Sequence, residues 1–261
     1  MCDSNKDVFI KNSIVFRTSL VKSRQTEWEF STPVWHEDFI QKYLNNQIPI
    51  RQKQAQPKIG FCGLAHLPQR NLKAMLKRVI LPFLEGIGWR SQRPLTGHQL
   101  RGLILSNLSQ SPLITPNFII KDQFWGGSVP KSGQQWNFNF KKQVRLEYVN
   151  NMVDSDYVLC VAGAGNYSIR LYETLCCGRI PIFINTDCVL PYDFELNWRQ
   201  YCVWIEQDEI SQVAEKVAEF HHRLSPQDFI DLQYQCRQLW KQWLSPEGFF
   251  ANFYRHFHRS A

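Results

Sequence analysis

The stretch DYVLCVAGAGNYSIRLYETLCCGRIPIFI, residues 156–184, decides the fold. It holds an apolar run at 157–162, a glycine-containing turn, a helical pattern at 168–177 and a second apolar run at 180–184. Gly178 is placed to end the helix. Two strands joined by one crossover helix are expected to be parallel neighbours with a right-handed crossover, and strands that are apolar on both faces need helices on both faces. The stretch therefore predicts an α/β fold with a Rossmann-like parallel sheet.

The rest of the chain divides at a linker. Residues 46–58 are rich in glutamine and carry two prolines, which is typical of a connecting segment. The part before it holds short apolar runs and a helix predicted at 36–45, whereas the part after it repeats strand and helix. We therefore predict an N-terminal segment at 1–57 and a larger domain at 58–261 that ends in helices.

The composition and the apolar runs predict the type of protein and its location. With 261 residues, 44% apolar and 20% charged, the chain can bury a substantial core and is not of disordered type. No apolar run approaches the ~20 residues of a membrane-spanning helix, and residues 1–11 lack the apolar stretch of a signal peptide, so we expect a cytoplasmic protein.

The formal net charge of +7 is concentrated in one part of the chain. Residues 51–101 hold ten basic side chains against one acid, and such a stretch attracts phosphate groups. A solvated helix face is one interpretation and peripheral contact with an anionic membrane is the other. We expect no nucleic-acid partner.

The turn after the first quoted strand is the first candidate site. In open parallel sheets, ligands bind beyond the carboxyl ends of the strands, where helix N-termini offer unpaired N–H groups. Gly163 and Gly165 allow close backbone approach, and the N–H groups around Ser168 suit a diphosphate. A tight structural turn or a nicotinamide-cofactor loop would show the same pattern, so all three interpretations stay open at this point.

The helix that follows carries two charges, Arg170 and Glu173, three residues apart on one face. As a surface ion pair they would stabilise the helix by about 0.3 kcal/mol. On a helix that is apolar nearly all round, however, charges need partners. A diphosphate for Arg170 and a ribose diol for Glu173 would supply them, so we favour a binding role.

The quoted stretch, with its continuation through Asp187 to Val203, resembles the exostosin family, glycosyltransferase family 47. The family motif is a small-residue turn, then Ser-x-Arg-x-x-Glu, then Gly-x-Ile-Pro-Val and an acid, and this chain has Gly-x-Ile-Pro-Ile at the last position. The likeness extends back to the run at 60–63 with Arg70 and covers most of 58–261.

The resemblance implies a GT-B glycosyltransferase, in which two Rossmann-like domains enclose the site and the C-terminal one holds the nucleotide sugar. Arg170 would bind the diphosphate, Glu173 the ribose, and Arg70 a second phosphate oxygen, while Asp187 would lie near the donor. The donor is expected to be UDP-linked, with no further cofactor, and transfer to be inverting and metal-independent. The expected donor-binding set comprises Arg70, Gly163, Gly165, Asn166, Ser168, Arg170, Glu173 and Asp187.

The metal-binding patterns of the chain are few. Asp154-Ser155-Asp156 has the Asp-x-Asp spacing of metal-dependent glycosyltransferases of the other large fold, but it precedes an apolar strand instead of following one. His221 and His222 lack zinc-type partners in the sequence. We therefore expect no metal, and we expect free thiols at four cysteines that lie inside apolar runs, namely Cys62, Cys160, Cys176 and Cys202.

One departure from the family concerns its acceptor half, which is a whole domain, whereas only 1–57 precedes the predicted donor domain here. Inversion needs a general base near the acceptor hydroxyl. His36 and Asp38 are the nearest candidates, with solvated polar residues at a helix start as the alternative interpretation. A partner or a second copy could complete the cleft.

The sequence thus predicts a glycosyltransferase that moves a sugar from a nucleotide sugar to a glycan or lipid-linked acceptor. Two other interpretations remain. The chain could be a non-catalytic or partner-dependent nucleotide-sugar-binding protein, or an adaptor that binds anionic surfaces through 51–101.

Overall fold

The computed structural model of the chain describes residues 13–68, 97–123 and 138–257. Its strands form a pair, β1–β2, and a five-stranded sheet in the order β4-β3-β5-β6-β7. All neighbouring strands in both sheets are parallel. The strands are β1 (Val15–Arg17), β2 (Glu29–Ser31), β3 (Lys58–Leu64), β4 (Thr115–Lys121), β5 (Tyr157–Cys160), β6 (Ile180–Asn185) and β7 (Val203–Glu206).

Helices connect and cover the strands of the larger sheet. The α-helices are α1 (Phe39–Tyr43), α2 (Gly97–Leu108), α3 (Phe138–Val153), α4 (Ile169–Cys176), α5 (Val213–Arg223), α6 (Pro226–Leu239) and α7 (Pro246–Ala251). A π-helix at Trp240–Leu244 joins α6 to α7, and four short 3-10 helices lie at Lys22–Arg24, Trp198–Gln200, Gln207–Gln212 and Phe253–His256.

The centre of the sheet is buried on both faces. All four residues of β5 and five of the six in β6 are buried, so side chains that point to either face meet a packed layer. The two strands pair from Tyr157 with Ile180 to Cys160 with Phe183. The predicted parallel neighbours and the α/β Rossmann-like class are confirmed, while the right-handed crossover stays a prediction.

The strand order creates a crevice. In chain order the five strands take the places 2-1-3-4-5, so the connections reverse direction between β3 and β5. These two strands pair only at Ile59 with Tyr157 and Gly60 with Val158, although β3 continues to Leu64. The carboxyl ends of β3 and β5 therefore flank the topological switch point, where open α/β sheets bind their ligands.

The N-terminal residues pack onto the rest of the chain. Phe16 and Phe30 contact the ring of His256 near the C-terminus, and Val21 forms an isolated bridge with Cys188. Phe39 lies in the main hydrophobic core. The division of the chain into 1–57 and 58–261 stays a prediction.

The described cysteines are all free thiols, as predicted for the four in apolar runs, and all but Cys188 are buried. Burial raises the pKa of the Cys160 thiol to about 12, which keeps it protonated and unreactive. Across the three described ranges, no helix combines the length and apolar character needed to span a membrane.

Candidate anion-binding site

A cavity of about 280 Å³ opens at the carboxyl end of the sheet, at the switch point between β3 and β5. Five elements contribute to its wall, which explains why no single stretch of sequence defines it. The lining residues are Cys62, Gly63 and Leu64 of β3, His98 and Arg101 of α2, Lys121 of β4, Val144, Arg145 and Tyr148 of α3, and Gly163, Ala164, Tyr167, Ser168, Ile169, Arg170 and Glu173 around the start of α4.

The cavity carries a strong positive charge. Four of its lining side chains are cationic, namely Arg101, Lys121, Arg145 and Arg170, and Glu173 is the one carboxylate among them. Lys121 is paired with Glu147, 2.6 Å away, and Arg145 with Glu173, 3.3 Å away. Arg101 and Arg170 are therefore the main source of positive field inside the cavity. Such a cavity concentrates anions.

Arg170 spans the gap between the two diverging strands. Its Nη2 donates to the carbonyl of Cys62 at 2.7 Å, and its Nη1 lies 3.5 Å from the carbonyl of Leu159. The guanidinium lies 4.3 Å from the ring centroid of Phe61. Gly63 makes room for it, because a Cβ there would come within 2.8 Å of Nη2 and the backbone φ is +149°.

Arg101 also joins β3 to the residues that follow β5, two residues further along the chain in each case. Its guanidinium donates to the carbonyls of Leu64 at 3.4 Å and Val161 at 3.2 Å. A Cβ on Gly163 would lie 3.3 Å from its Nη2. Burial and the charge of Arg170 lower the pKa of Arg101 to about 10, so its positive charge is retained at neutral pH but is less stable than that of an arginine in water.

Both arginines lack a carboxylate partner. Across the described parts of the chain neither of them forms a salt bridge. The Nε of each is buried without a hydrogen-bond partner there, and the Arg170 side chain is among the buried charged groups, 8% exposed. Buried guanidinium groups are usually paired, and carboxylate and phosphate are the groups whose geometry matches the donors of a guanidinium.

Glu173 has partners other than Arg170. The Tyr148 hydroxyl donates to its Oε2, and Arg145 lies 3.3 Å from its Oε1. Burial, together with the charge of Glu173, raises the pKa of Tyr148 well above its ordinary value, so Tyr148 remains a donor. Among the described residues no salt bridge joins Glu173 to Arg170, so the simple ion pair considered from the sequence is not formed. Contact between Glu173 and a ribose stays a prediction.

The start of α4 adds backbone donors to the cavity. Ser168 is the N-cap residue, and its hydroxyl makes no capping hydrogen bond. The first N–H groups of the helix therefore lack the usual side-chain acceptor, and the positive end of the helix dipole lies at the cavity wall. This arrangement suits a phosphate group.

Three predicted donor-binding residues lie outside the cavity lining. Gly165 and Asn166 lie against the N-terminal segment. The Asn166 N–H donates to Ser19 Oγ at 2.9 Å, and a Cβ on Gly165 would lie 3.2 Å from the same oxygen. Asp187, at φ +59°, accepts from the Ser23 hydroxyl at 2.5 Å and from the backbone N–H of Lys22. In this structure they anchor residues 19–23. Arg70 and much of the basic 51–101 stretch lie outside the described residues.

Neither candidate base lines the cavity. Asp38 caps α1 by accepting from the Ile40 N–H at 3.0 Å, and its two oxygens take Arg237 at 3.0 and 2.6 Å. Burial acts to raise the pKa of Asp38, but the hydrogen bond and charge of Arg237 outweigh it and hold the pKa below its usual range. His36 packs against Phe39 and Trp240. A structural role fits both better than the general base considered from the sequence.

The Asp-x-Asp pattern lies at the opposite end of the sheet. Asp156 is fully buried before β5, where its Oδ1 pairs with Arg51 Nε at 2.5 Å and its Oδ2 accepts from the Lys58 N–H at 2.8 Å. Both oxygens are thus used to hold the linker and the start of β3. Over the described ranges, no three His, Cys, Asp or Glu side chains cluster as a metal site would require.

The sequence patterns did not single out Arg101, Arg145, Tyr148 or His98. A signal was present for the first, since Arg101 is the one charge between Leu100 and Ile104 on an otherwise apolar helix face. It is the same signal that drew attention to Arg170.

A sequence profile of the exostosin GT47 domain matches residues 74–220, more than half of the chain. The chain belongs to the exostosin GT47 family. Within this family, exostosin-1 of Drosophila melanogaster is 25% identical over 99 residues, which are 38% of this chain and 12% of that protein. The probable glucuronosyltransferase GUT1 of Oryza sativa subsp. japonica is 32% identical over 66 residues, 25% of this chain and 16% of that protein.

A probable glycosyltransferase of Arabidopsis thaliana is 31% identical over 68 residues, 26% of this chain and 14% of its own length. The matched part of the exostosin GT47 chain therefore spans between 12% and 16% of these three relatives. Among solved structures, that of TarM is similar with a TM-score of 0.42 and 10% identity, over 90% of this chain and 40% of the other.

Proposed function

We propose that this exostosin GT47 chain binds a nucleotide sugar in the switch-point cavity and takes part in transfer of the sugar to a glycan or lipid-linked acceptor. One observation carries the proposal. The guanidinium groups of Arg101 and Arg170 meet at the cavity without a carboxylate partner among the described residues, beside an uncapped helix start at Ser168. A diphosphate supplies the missing charge.

The chemistry we propose is direct displacement at the anomeric carbon. The acceptor hydroxyl oxygen forms a bond to that carbon and gives its proton to a base on the acceptor side as the bond to the diphosphate oxygen breaks, so the sugar is inverted and a nucleoside diphosphate leaves. The leaving group gains negative charge, which Arg101, Arg170 and the start of α4 stabilise. This cationic wall takes the part that a divalent metal plays elsewhere, which supports metal-independent transfer.

Nucleotide binding is the first test. UDP, UDP-glucose and UDP-glucuronic acid would be titrated calorimetrically into the wild type and into Arg170→Gln. A charge-assisted contact contributes about 1.5–3 kcal/mol, so the substitution should weaken binding by about tenfold or more. Arg223→Gln is the matched control, because it removes an arginine that is 68% exposed on α5. Equal affinity in all three proteins would contradict the proposal.

The choice of donor panel follows from the relatives. Plant members are named as probable glucuronosyltransferases, so UDP-glucuronic acid is the first donor to test for transfer.

A metal chelator tests metal independence and should leave nucleotide binding and any sugar transfer intact. Asp154→Ala, at the opposite end of the sheet, should be equally mild, and loss of activity with chelator would overturn metal independence.

A partner-dependent or non-catalytic binding protein is the second candidate. The observation that favours it is that Glu173, the one carboxylate lining the cavity among the described residues, already holds Tyr148 and Arg145. Among the described residues, no free carboxylate thus faces the ligand from that wall. Nucleotide-sugar binding without hydrolysis or transfer across a panel of acceptors would select this candidate over the first.

A further inference from the structure

His98 is the one imidazole that lines the cavity among the described residues, and the family motif does not include it. It lies in the first turn of α2, one turn before Arg101. Nη1 of Arg101 donates to its Nδ1 at 3.4 Å, a bond that only the neutral imidazole can accept, and its ring centroid is 5.6 Å from that of His66. The side chain is half-buried, so one part contacts protein while another faces the cavity.

The groups around His98 are mostly positive. Arg101 comes from its own helix and His66 from the segment after β3, while the other elements of the wall contribute Lys121, Arg145, Tyr148, Arg170 and Glu173. The carboxylate of Glu173 is already shared between Tyr148 and Arg145. Burial, then the charges of Arg101 and His66, lower the pKa of His98, although the Leu64 carbonyl acts in the opposite direction.

An anion reverses this balance. A diphosphate beside Arg101 would compensate the guanidinium charge and at the same time attract a second cation. The imidazole would then be more stable with both ring nitrogens protonated and Nδ1 released from the Arg101 hydrogen bond, since a nearby opposite charge favours the charged form. His98 would add a hydrogen-bond donor to a wall that already offers the guanidinium groups of Arg101 and Arg170 and the N–H groups at the start of α4.

We propose that His98 is a further ligand-binding residue of this cavity, and that it takes up a proton from solvent and contacts a phosphate oxygen as an imidazolium when a nucleoside diphosphate sugar binds. The identity of the ligand rests on the proposed function. Binding and proton uptake are coupled, so lower pH strengthens binding and binding raises the affinity of His98 for its proton.

The sign of the pH dependence follows from the two states. Between the pKa of His98 with the cavity free and its pKa in the complex, the complex holds more protons than the free protein. Affinity therefore rises as pH falls through that window, by up to about tenfold per pH unit for one proton. Above the window the affinity is constant.

The test is calorimetric titration of UDP-glucose, whose esterified diphosphate does not titrate near neutral pH. Two amine buffers with different ionisation enthalpies report the protons taken up. For the wild type we expect net proton uptake near the ordinary histidine pKa of about 6.5 and an affinity that increases on acidification. In His98→Gln the uptake should vanish, and the affinity near pH 6 should fall about tenfold towards the high-pH wild-type value.

Two variants serve as controls. His222→Gln replaces an exposed histidine on α5 and should leave both quantities unchanged. His66→Gln should keep the proton uptake, and its loss there would assign the proton to His66 and overturn the proposal. If His98→Gln unfolds, histidine NMR titration of the wild type decides, because the His98 pKa must rise when UDP-glucose is added.

The outcomes separate the two proposals. Binding of UDP-glucose without proton uptake overturns the role of His98 and leaves the nucleotide-sugar site intact. Failure of UDP-glucose and the other nucleotides to bind the wild type overturns the proposed function, and the His98 proposal with it.

Discussion

Buried arginines at the two ends of the parallel sheet have different surroundings. At the amino end, Arg179 is fully buried, and all three of its nitrogens donate to the chain, to Val153 O, Gly178 O, Pro49 O and Gln233 Oε1. Next to it, Arg51 is paired with Asp156. At the carboxyl end, Arg101 and Arg170 each keep a buried Nε that has no partner among the described residues, and both open onto a cavity.

The difference separates residues that hold the fold from residues available to a ligand. A group whose hydrogen bonds are complete within the chain gains nothing from an added anion. A buried cation without a carboxylate partner can be neutralised by a bound anion when it opens onto a cavity, whereas one enclosed by the chain cannot. Substitutions at the amino end should therefore reduce stability, whereas substitutions at the carboxyl end should reduce binding.

The largest expected effect is on stability at the amino end. Asp156→Ala leaves Arg51 without its carboxylate and the Lys58 N–H without an acceptor, so the free energy of unfolding should fall by about 3–5 kcal/mol. Urea unfolding measures this change. Asp154→Ala is the control, because its side chain is exposed and the expected loss is within about 0.5 kcal/mol. Equal losses in the two variants would contradict the account of this end.

The second effect is on binding at the carboxyl end. Arg101→Met removes a destabilised charge and three long hydrogen bonds, so the free energy of unfolding should change by no more than about 1 kcal/mol. Affinity for UDP should nevertheless fall about tenfold or more. Parallel urea and calorimetric measurements test the contrast. A stability loss as large as that of Asp156→Ala, with UDP affinity retained, would assign Arg101 to the fold.

A smaller effect concerns the partner of Glu173. The Glu173 carboxylate accepts a hydrogen bond from Tyr148 and forms no salt bridge with Arg170. The effects of Glu173→Gln and Tyr148→Phe on the free energy of unfolding should therefore be coupled by about 1 kcal/mol. The charge swap Arg170→Glu with Glu173→Arg should recover neither stability nor UDP affinity. Recovery of both in the swap would restore the ion-pair interpretation.

The smallest effect compares histidines at the two ends. His221 bonds Tyr157 at 3.0 Å and the Gln54 carbonyl at 2.8 Å, and burial lowers its pKa despite the Gln54 contact. Its contribution to stability is therefore complete above the unfolded pKa of about 6.5 and is lost as pH falls below it. Wild-type urea midpoints should drop between about pH 7.5 and 5.5, and less so in His221→Gln. Nucleotide should not alter the His221 titration.

The local fold could be predicted from the sequence because it depends on patterns within one stretch. The apolar runs of β5 and β6, with Gly178 after the helix, are sufficient for a parallel pair. Arg170 was found because a charge on an apolar helix needs a partner.

The remaining parts of the site depend on strand order, which no local pattern encodes. Arg101 meets Arg170 only because the chain places β3 beside β5 and brings α2 to the same end of the sheet. Conversely, Asn166 and Asp187 lie close to the motif in sequence, but the N-terminal segment takes their hydrogen bonds. Sequence proximity to a motif was therefore a poor guide to which side chains line the cavity.

A crystal structure of the protein grown with UDP is the sharpest test of diphosphate binding by Arg101 and Arg170. We expect diphosphate density at the carboxyl ends of β3 and β5, with phosphate oxygens about 3 Å from the guanidinium nitrogens of these two residues. Density for UDP elsewhere on the chain, with both guanidinium groups bonded only to strand carbonyls, would contradict it.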